Sequence, residues 1–124
     1  MEPEEPVSVA DVMSSPIETV SPDATVREAA EKMRDREVSA LLVTTSPAGI
    51  VTSTDVLNAV AEGHDPSTLR VSDVMTASVE TVTPDLHLEE AAAMMTTFGI
   101  KHLPVVDDDY VGMLSSTDIT AEVS

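Results

Sequence analysis

The sequence predicts an α/β (α+β) fold of two β-α-β-β-α units related by pseudo-twofold symmetry. Three observations carry this. First, the chain repeats itself. Asp11-Val12-Met13 returns as Asp73-Val74-Met75, Glu18-Thr19-Val20 as Glu80-Thr81-Val82, and Pro22-Asp23 as Pro84-Asp85. Glu28-Ala29-Ala30 with Met33 returns as Glu90-Ala91-Ala92 with Met95. Each pair is 62 residues apart, so nearly everything from Val9 onward is a tandem duplication. Second, each copy reads as strand, helix, strand, strand, helix. Third, each copy closes on one pattern: Gly49-Ile50-Val51-Thr52-Ser53-Thr54-Asp55, then Gly112-Met113-Leu114-Ser115-Ser116-Thr117-Asp118. Here the step is 63, so one residue is gained in the turn before the glycine. Two copies are too few for a solenoid, which favours pairing about a pseudo-dyad.

The elements follow in order. Residues 1–8, opening Met1-Glu2-Pro3-Glu4-Glu5-Pro6, read as a disordered acidic lead-in. The first unit spans 9–62. Ile17 to Val20 is a short strand, and Ser21-Pro22-Asp23 turns the chain. Thr25 and Glu28 form a capping box for a helix from Val26 to Arg36, with Val26, Ala29, Ala30 and Met33 on its apolar face. Ala40 to Val43 is a buried strand, Thr45 to Ala48 a turn, and Gly49 to Val51 a second strand. A helix runs from Ser53 to Glu62, with Gly63 suited to its C-terminal cap. Residues 63–70 link the halves. The second unit, 71–124, repeats the order: strand Val79 to Val82, turn Thr83-Pro84-Asp85, and a helix with Leu88, Ala91, Ala92 and Met95 inward. Strand Leu103 to Val106, turn Asp107 to Asp109 and the closing glycine stretch complete it.

Composition narrows the function. The 124 residues are 42% hydrophobic but only 2% aromatic, so the core must be aliphatic. There is no cysteine, hence no disulfide or thiolate chemistry. No apolar run reaches the roughly 20 residues that span a bilayer, and the N-terminus lacks the basic and apolar regions of a signal peptide. A cytoplasmic protein is expected. Net charge is −17, from 23 acidic and 6 basic residues, which disfavours nucleic acid and anionic membranes as partners. The acids are dispersed. Such a surface with few lysines is the pattern of halophilic proteins, whose self-repulsion concentrated salt screens. The alternative is an acidic domain from a cell of ordinary salt content.

The repeated closing stretch carries the candidate chemistry. A strand runs into a helix whose cap is Thr52 or Ser115 and whose first turn holds Asp55 or Asp118. Backbone amides and the helix dipole there suit a phosphate, while a carboxylate suits ribose hydroxyls. The spacing therefore suggests a nucleotide. The same residues also read as plain caps, with the aspartates complementing the dipole. Other candidates are weaker. His64, His87 and His102 show no metal-ligand spacing, so no metal is expected. Asp107-Asp108-Asp109 reads as a solvated hairpin tip, and the seven methionines as core filler. No nucleophile–base pair or general acid is recognisable, and catalysis would need a further domain.

With these residues in view, the chain resembles a stand-alone tandem pair of cystathionine-β-synthase-type (CBS) domains. The likeness rests on Asp73-Val74-Met75, Thr81-Val82-Thr83-Pro84-Asp85, Glu90-Ala91, Ile100-Lys101-His102-Leu103-Pro104-Val105-Val106-Asp107 and Gly112 to Asp118, with Val38-Ser39-Ala40-Leu41 and Gly49 to Asp55 in the first unit. The resemblance implies units packed sheet to sheet, with a cleft at each end of the pseudo-dyad for AMP, ADP, ATP or S-adenosylmethionine. It implies a hydroxyl (Thr52, Ser115) facing phosphate and an aspartate (Asp55, Asp118) on ribose. The base would lie against Ile17 and Val38-Ser39-Ala40, or Val79 and Ile100-Lys101-His102. Lys101 and His102 would reach phosphate. The first unit has Ser39 and Ala40 there, and Leu42 for Pro104, so its cleft lacks local positive charge. The resemblance also implies a regulatory role toward a partner protein, no cofactor, and a homodimer formed through helices, with Val56, Val60, Ala29 and Met33 supplying apolar faces. The rival is a structural dimerisation module with vestigial clefts.

Overall fold

The computed structural model describes residues 6–123. In chain order the elements are α1 (Val9–Val12), β1 (Thr19–Val20), α2 (Val26–Arg36), β2 (Ala40–Val43), β3 (Gly49–Thr52) and α3 (Ser53–Ala61). Then come α4 (Val71–Val74), β4 (Thr76–Ala77), α5 (Leu88–Phe98), β5 (His102–Asp107), β6 (Asp109–Ser115) and α6 (Ser116–Val123). The fold is mixed α and β, and two compact units divide it. One is Glu18–Val79. The other joins the segment ending at Ile17 to the residues from Glu80 onward.

The Glu18–Val79 unit holds one sheet, in the order β1-β2-β3-β4. β1 lies parallel to β2, and β3 is antiparallel to both of its neighbours. α2 starts where the sequence places it. The Thr25 hydroxyl accepts from the Glu28 amide at 3.1 Å, and the Glu28 carboxylate accepts from the Thr25 amide at 3.2 Å. Its inner face sets Ala29 and Met33 against Leu41, Val43, Val51 and Val71, and Val26 is fully buried too. All of Ala40 to Val43 and Gly49 to Val51 are buried, so β2 and β3 read as continuous apolar runs rather than alternating ones. The Lys32 ammonium donates to the Thr19 carbonyl and ties α2 to β1.

The other unit is built on the β5–β6 hairpin, with Val9, Val82, Leu88, Ala91, Met95, Leu103, Val105 and Leu114 as its core. Two expectations change here. The strand expected over Val79 to Val82 shrinks to one parallel bridge, Val82 with Val105. The cause is Pro104. In the first repeat the Leu42 amide donates to the Glu18 carbonyl at 3.0 Å, and proline at the matching position has no N–H to give. The extra residue of the second repeat is also not in the turn. Val105 pairs with Gly112 and Val106 with Tyr110, so Val111 is extruded as a bulge, while Asp108 alone makes the tip with φ 64°.

The unit boundaries do not follow the repeat boundaries, because the repeats exchange their leading segments. α1, from the first repeat, is bonded to the second: the Val9 amide donates to the Leu86 carbonyl and Ala10 to Pro84, both at 2.9 Å. α4 does the reciprocal, with Val71 donating to Ala24 at 2.9 Å and Ser72 to Pro22 at 3.1 Å. Val9 and Val71 are both 0% exposed. Of the lead-in expected over residues 1–8, Met1 to Glu5 lie outside the described residues. The Val7 carbonyl accepts from Leu88, and Ser8 bridges His87. The Ser8 amide and hydroxyl donate to Asp11, holding its carboxyl below the usual carboxylate range.

The exchange accounts for the glycines that open the repeated stretch. A Cβ on Gly49 would sit 2.8 Å from the Thr76 carbonyl oxygen and 3.3 Å from the Met75 sulfur. One on Gly112 would sit 2.7 Å from the Ser14 oxygen and 2.8 Å from the Met13 sulfur. Any side chain at either position would push the exchanged segment away.

Candidate functional site

In each unit a strand delivers the capping hydroxyl straight into a helix. β3 ends at Thr52 and α3 begins at Ser53; β6 ends at Ser115 and α6 begins at Ser116. At the first junction the Asp55 amide donates to the Thr52 hydroxyl at 3.3 Å, and Asp55 Oδ2 accepts from the Thr52 amide at 2.8 Å. At the second, the Asp118 amide donates to the Ser115 hydroxyl at 3.1 Å, and Asp118 Oδ2 accepts from the Ser115 amide at 3.2 Å. Both pairs are therefore capping boxes with aspartate in the place of glutamate. The box uses one carboxylate oxygen and leaves Oδ1 outside it. Thr52, Asp55, Ser115 and Asp118 are all half-buried, so solvent or a ligand can reach them.

The neighbouring candidates are brought to the same place by strand register. Ala40 pairs with Thr52, and His102 with Ser115. The Ser39 carbonyl accepts from the Ser53 amide at 2.9 Å, and the Lys101 carbonyl from the Ser116 amide at 2.9 Å. The residue before each inner strand thus engages the first amide of the closing helix. Sequence reasoning missed these two bonds, since no side chain signals them. The amides of Thr54 and Thr117, at the second helical position, take part in none of these bonds. Lys101 is exposed and His102 half-buried; Ser39 and Ala40 stand in their places in the first repeat. Val38 and Ile100 are half-buried and packed against their own cores. Ile17 and Val79 fall in the opposite units from the residues that the resemblance groups with them. The unit boundaries pass just after each, so Val79 shares a unit with Thr52 and Asp55, and Ile17 with Ser115 and Asp118. Among the described residues, no cluster of three or more His, Cys, Asp or Glu is placed to hold a metal ion.

The family model of the CBS domain matches residues 9–62 and 71–124. The chain belongs to the CBS domain family. As a CBS pair it is 35% identical over 116 residues to the CBS domain-containing protein YhcV of Bacillus subtilis, covering 90% of this chain and 82% of that one. It is 34% identical over 119 residues to a protein of Methanopyrus kandleri, of which it spans only 61% while 91% of this chain is covered. It also matches the inosine-5'-monophosphate dehydrogenase of Nitrosopumilus maritimus at 36% identity, but spans only 21% of that enzyme, so the match is to one part of a larger protein. Among solved structures, the CBS pair superposes on that of protein MJ0100, solved in complex with 5'-methylthioadenosine and S-adenosylmethionine, with TM-score 0.85 and 27% identity, over 96% of this chain and 97% of that one. A hexameric CBS-CP12 protein from bloom-forming cyanobacteria gives TM-score 0.90 at 30% identity, over 95% and 72%.

Proposed function

We propose that this CBS pair is a non-catalytic regulatory module that binds an adenosine-containing ligand and passes the change to a partner protein. The observation that carries it is the doubled junction: two half-buried hydroxyl–aspartate pairs, each at a helix N-terminus, each with a carboxylate oxygen outside its capping box. The ligands held by the MJ0100 pair support the adenosyl class. AMP, ADP, ATP and S-adenosylmethionine all fit that chemistry. The ligand would set its phosphate or sulfonium end toward Thr52 or Ser115 and its ribose toward Asp55 or Asp118. Base contacts would come from Val38, Ser39, Ala40 and Val79 in one unit and Ile17, Ile100, Lys101 and His102 in the other. Lys101, with His102 beside it, would give the second junction a positive charge that the first lacks, so it should take the more highly phosphorylated ligand. The acidic, cysteine-free chain suits the cytoplasm, and no helix among the described residues is long and apolar enough to cross a membrane.

A second reading has its own observation. The capping boxes already account for both hydroxyls and one oxygen of each aspartate, which is what a structural module with vestigial sites would show. A thermal-shift screen separates the two. A ligand at a hundred times its Kd adds about 2.7 kcal/mol of stability. AMP, ATP or S-adenosylmethionine should therefore raise Tm by several degrees, and flat curves with all three would leave the structural module.

We further propose a homodimer formed through helix faces. Ala29 and Met33 do not serve it, because both are buried in their own core. Val56 is half-buried against the same core, whereas Leu57 is 67% exposed, Val60 53% and Phe98 50%. Among the described residues these are the large apolar side chains left exposed. Sedimentation at micromolar concentration should show twice the 13.1 kDa mass, and a clean monomer would remove the proposal.

A further inference from the structure

We infer that the exchanged leading segments are the elements through which each junction is regulated: occupancy of one repeat's junction tightens the docking of the other repeat's arm. This rests on the adenosyl-binding reading of Ser115 and Asp118. The arm, Val7 to Ser14, holds both elements that meet at that junction. On the strand side, Ser14 and Met113 exchange both backbone bonds at 2.9 Å, two residues before the capping Ser115. On the helix side, α1 packs against α6, whose first turn carries Asp118. The first-repeat junction is built alike: β4 pairs with β3 two residues before Thr52, and α4 packs against α3.

A ligand that fixes strand and helix at the junction therefore fixes the two surfaces on which the arm rests. Withdrawing the arm frees both surfaces at once. The two equilibria are linked, and linkage is reciprocal. The chain path gives this a direction. The arm that rests on the second junction runs on through Ile17 into β1 of the first repeat, and α4–β4, resting on the first junction, runs on into the second repeat. Each junction thus reports to the repeat that does not contain it. The glycines are the point of control, because Gly112 admits Met13 and Ser14, and Gly49 admits Met75 and Thr76.

Hydrogen exchange on the full chain, with AMP as the probe, tests this alongside calorimetry. The amides of Val9, Ala10, Met13 and Ser14 report arm docking, since each donates to a backbone carbonyl within the docked arm or its seat. AMP should slow their exchange by about five- to a hundredfold, the usual range of coupling between sites. Gly112→Ala should release the arm, speeding the exchange of these amides while Val26 and Val71 keep their protection. AMP affinity in that variant should fall by the same factor by which AMP slows arm exchange in the wild type. Should Gly112→Ala fail to fold, Val9→Ala is the milder release. It should speed arm exchange roughly tenfold, and AMP should restore protection. Measured AMP binding with arm exchange unchanged by AMP, in the wild type and in Val9→Ala, overturns the inference and leaves the binding reading standing. No binding of AMP, ATP or S-adenosylmethionine at all overturns both.

Discussion

Asp118→Ala should weaken AMP binding roughly ten- to a hundredfold. Ribose hydroxyls that lose a carboxylate partner in a half-buried site forfeit charged hydrogen bonds worth about 1.5–3 kcal/mol each. The capping geometry adds a second consequence. Asp118 Oδ2 also receives the Ser115 amide, so alanine removes half of a capping box as well, at a cost to stability of about 1 kcal/mol. Asp118→Asn separates the two effects. Its amide oxygen can keep the cap, while the negative charge that favours ribose donation is gone. Binding should fall in both variants and stability chiefly in the alanine one, read by calorimetric titration and by melting of the free proteins. Asp55→Ala should touch only a weaker second event, because Ser39 and Ala40 give its junction no positive charge. If Asp118→Ala binds AMP like the wild type while Asp55→Ala loses it, the assignment of the two junctions is reversed.

The fold should weaken markedly when salt is withdrawn. The net charge is −17, and the Debye length is about 10 Å at 0.1 M, so most carboxylates feel several others across a domain of this size. Internal neutralisation is slight. Among the described residues the arginine–carboxylate pairs are Arg27–Glu31 and Arg34–Asp35 within α2 and Arg36–Glu18 from its end to the residue before β1, all with exposed arginines. Exposed pairs are worth at most about 1 kcal/mol and do not offset a dispersed excess of acid. Going from roughly 2 M to roughly 0.05 M potassium chloride should lower Tm by about 10 °C or more, as a few kcal/mol lost from a domain of this size implies. A melting temperature indifferent to salt over that range would reject the high-salt adaptation.

The parts of this fold legible in the sequence are those whose signals are local. Thr25 and Glu28 mark the start of α2, and Val26, Ala29 and Met33 mark its inner face, because capping and helical periodicity act within a few residues. Ala40 to Val43 is legible as a buried apolar run. The repeat step brings the hydroxyl–aspartate junction into view twice. What stayed hidden depends on partners distant in the chain. Asp11-Val12-Met13 and its copy are plain as a repeat, but nothing local says that each docks on the opposite half. Pro104 is visible as a departure from Leu42, yet its effect on the strand at Val82 is the loss of a bond that the first repeat makes between Leu42 and Glu18, which only pairing reveals. The added residue near Gly112 shows in the sequence as a changed step. Only the register of β5 with β6 places it at Val111. At the two junctions the capping pairs Thr52–Asp55 and Ser115–Asp118 are legible in the sequence, and the carbonyls of Ser39 and Lys101 are not, because any residue can supply a carbonyl.

Calorimetric titration of the wild-type chain with AMP, ATP and S-adenosylmethionine, in high salt, is the measurement that bears most directly on the proposed function. Saturable binding is expected, with the tighter event lost in Asp118→Asn and kept in Asp55→Asn. Titrations in which neither nucleotide nor S-adenosylmethionine produces a binding isotherm would contradict it, and would reduce both hydroxyl–aspartate junctions to helix caps.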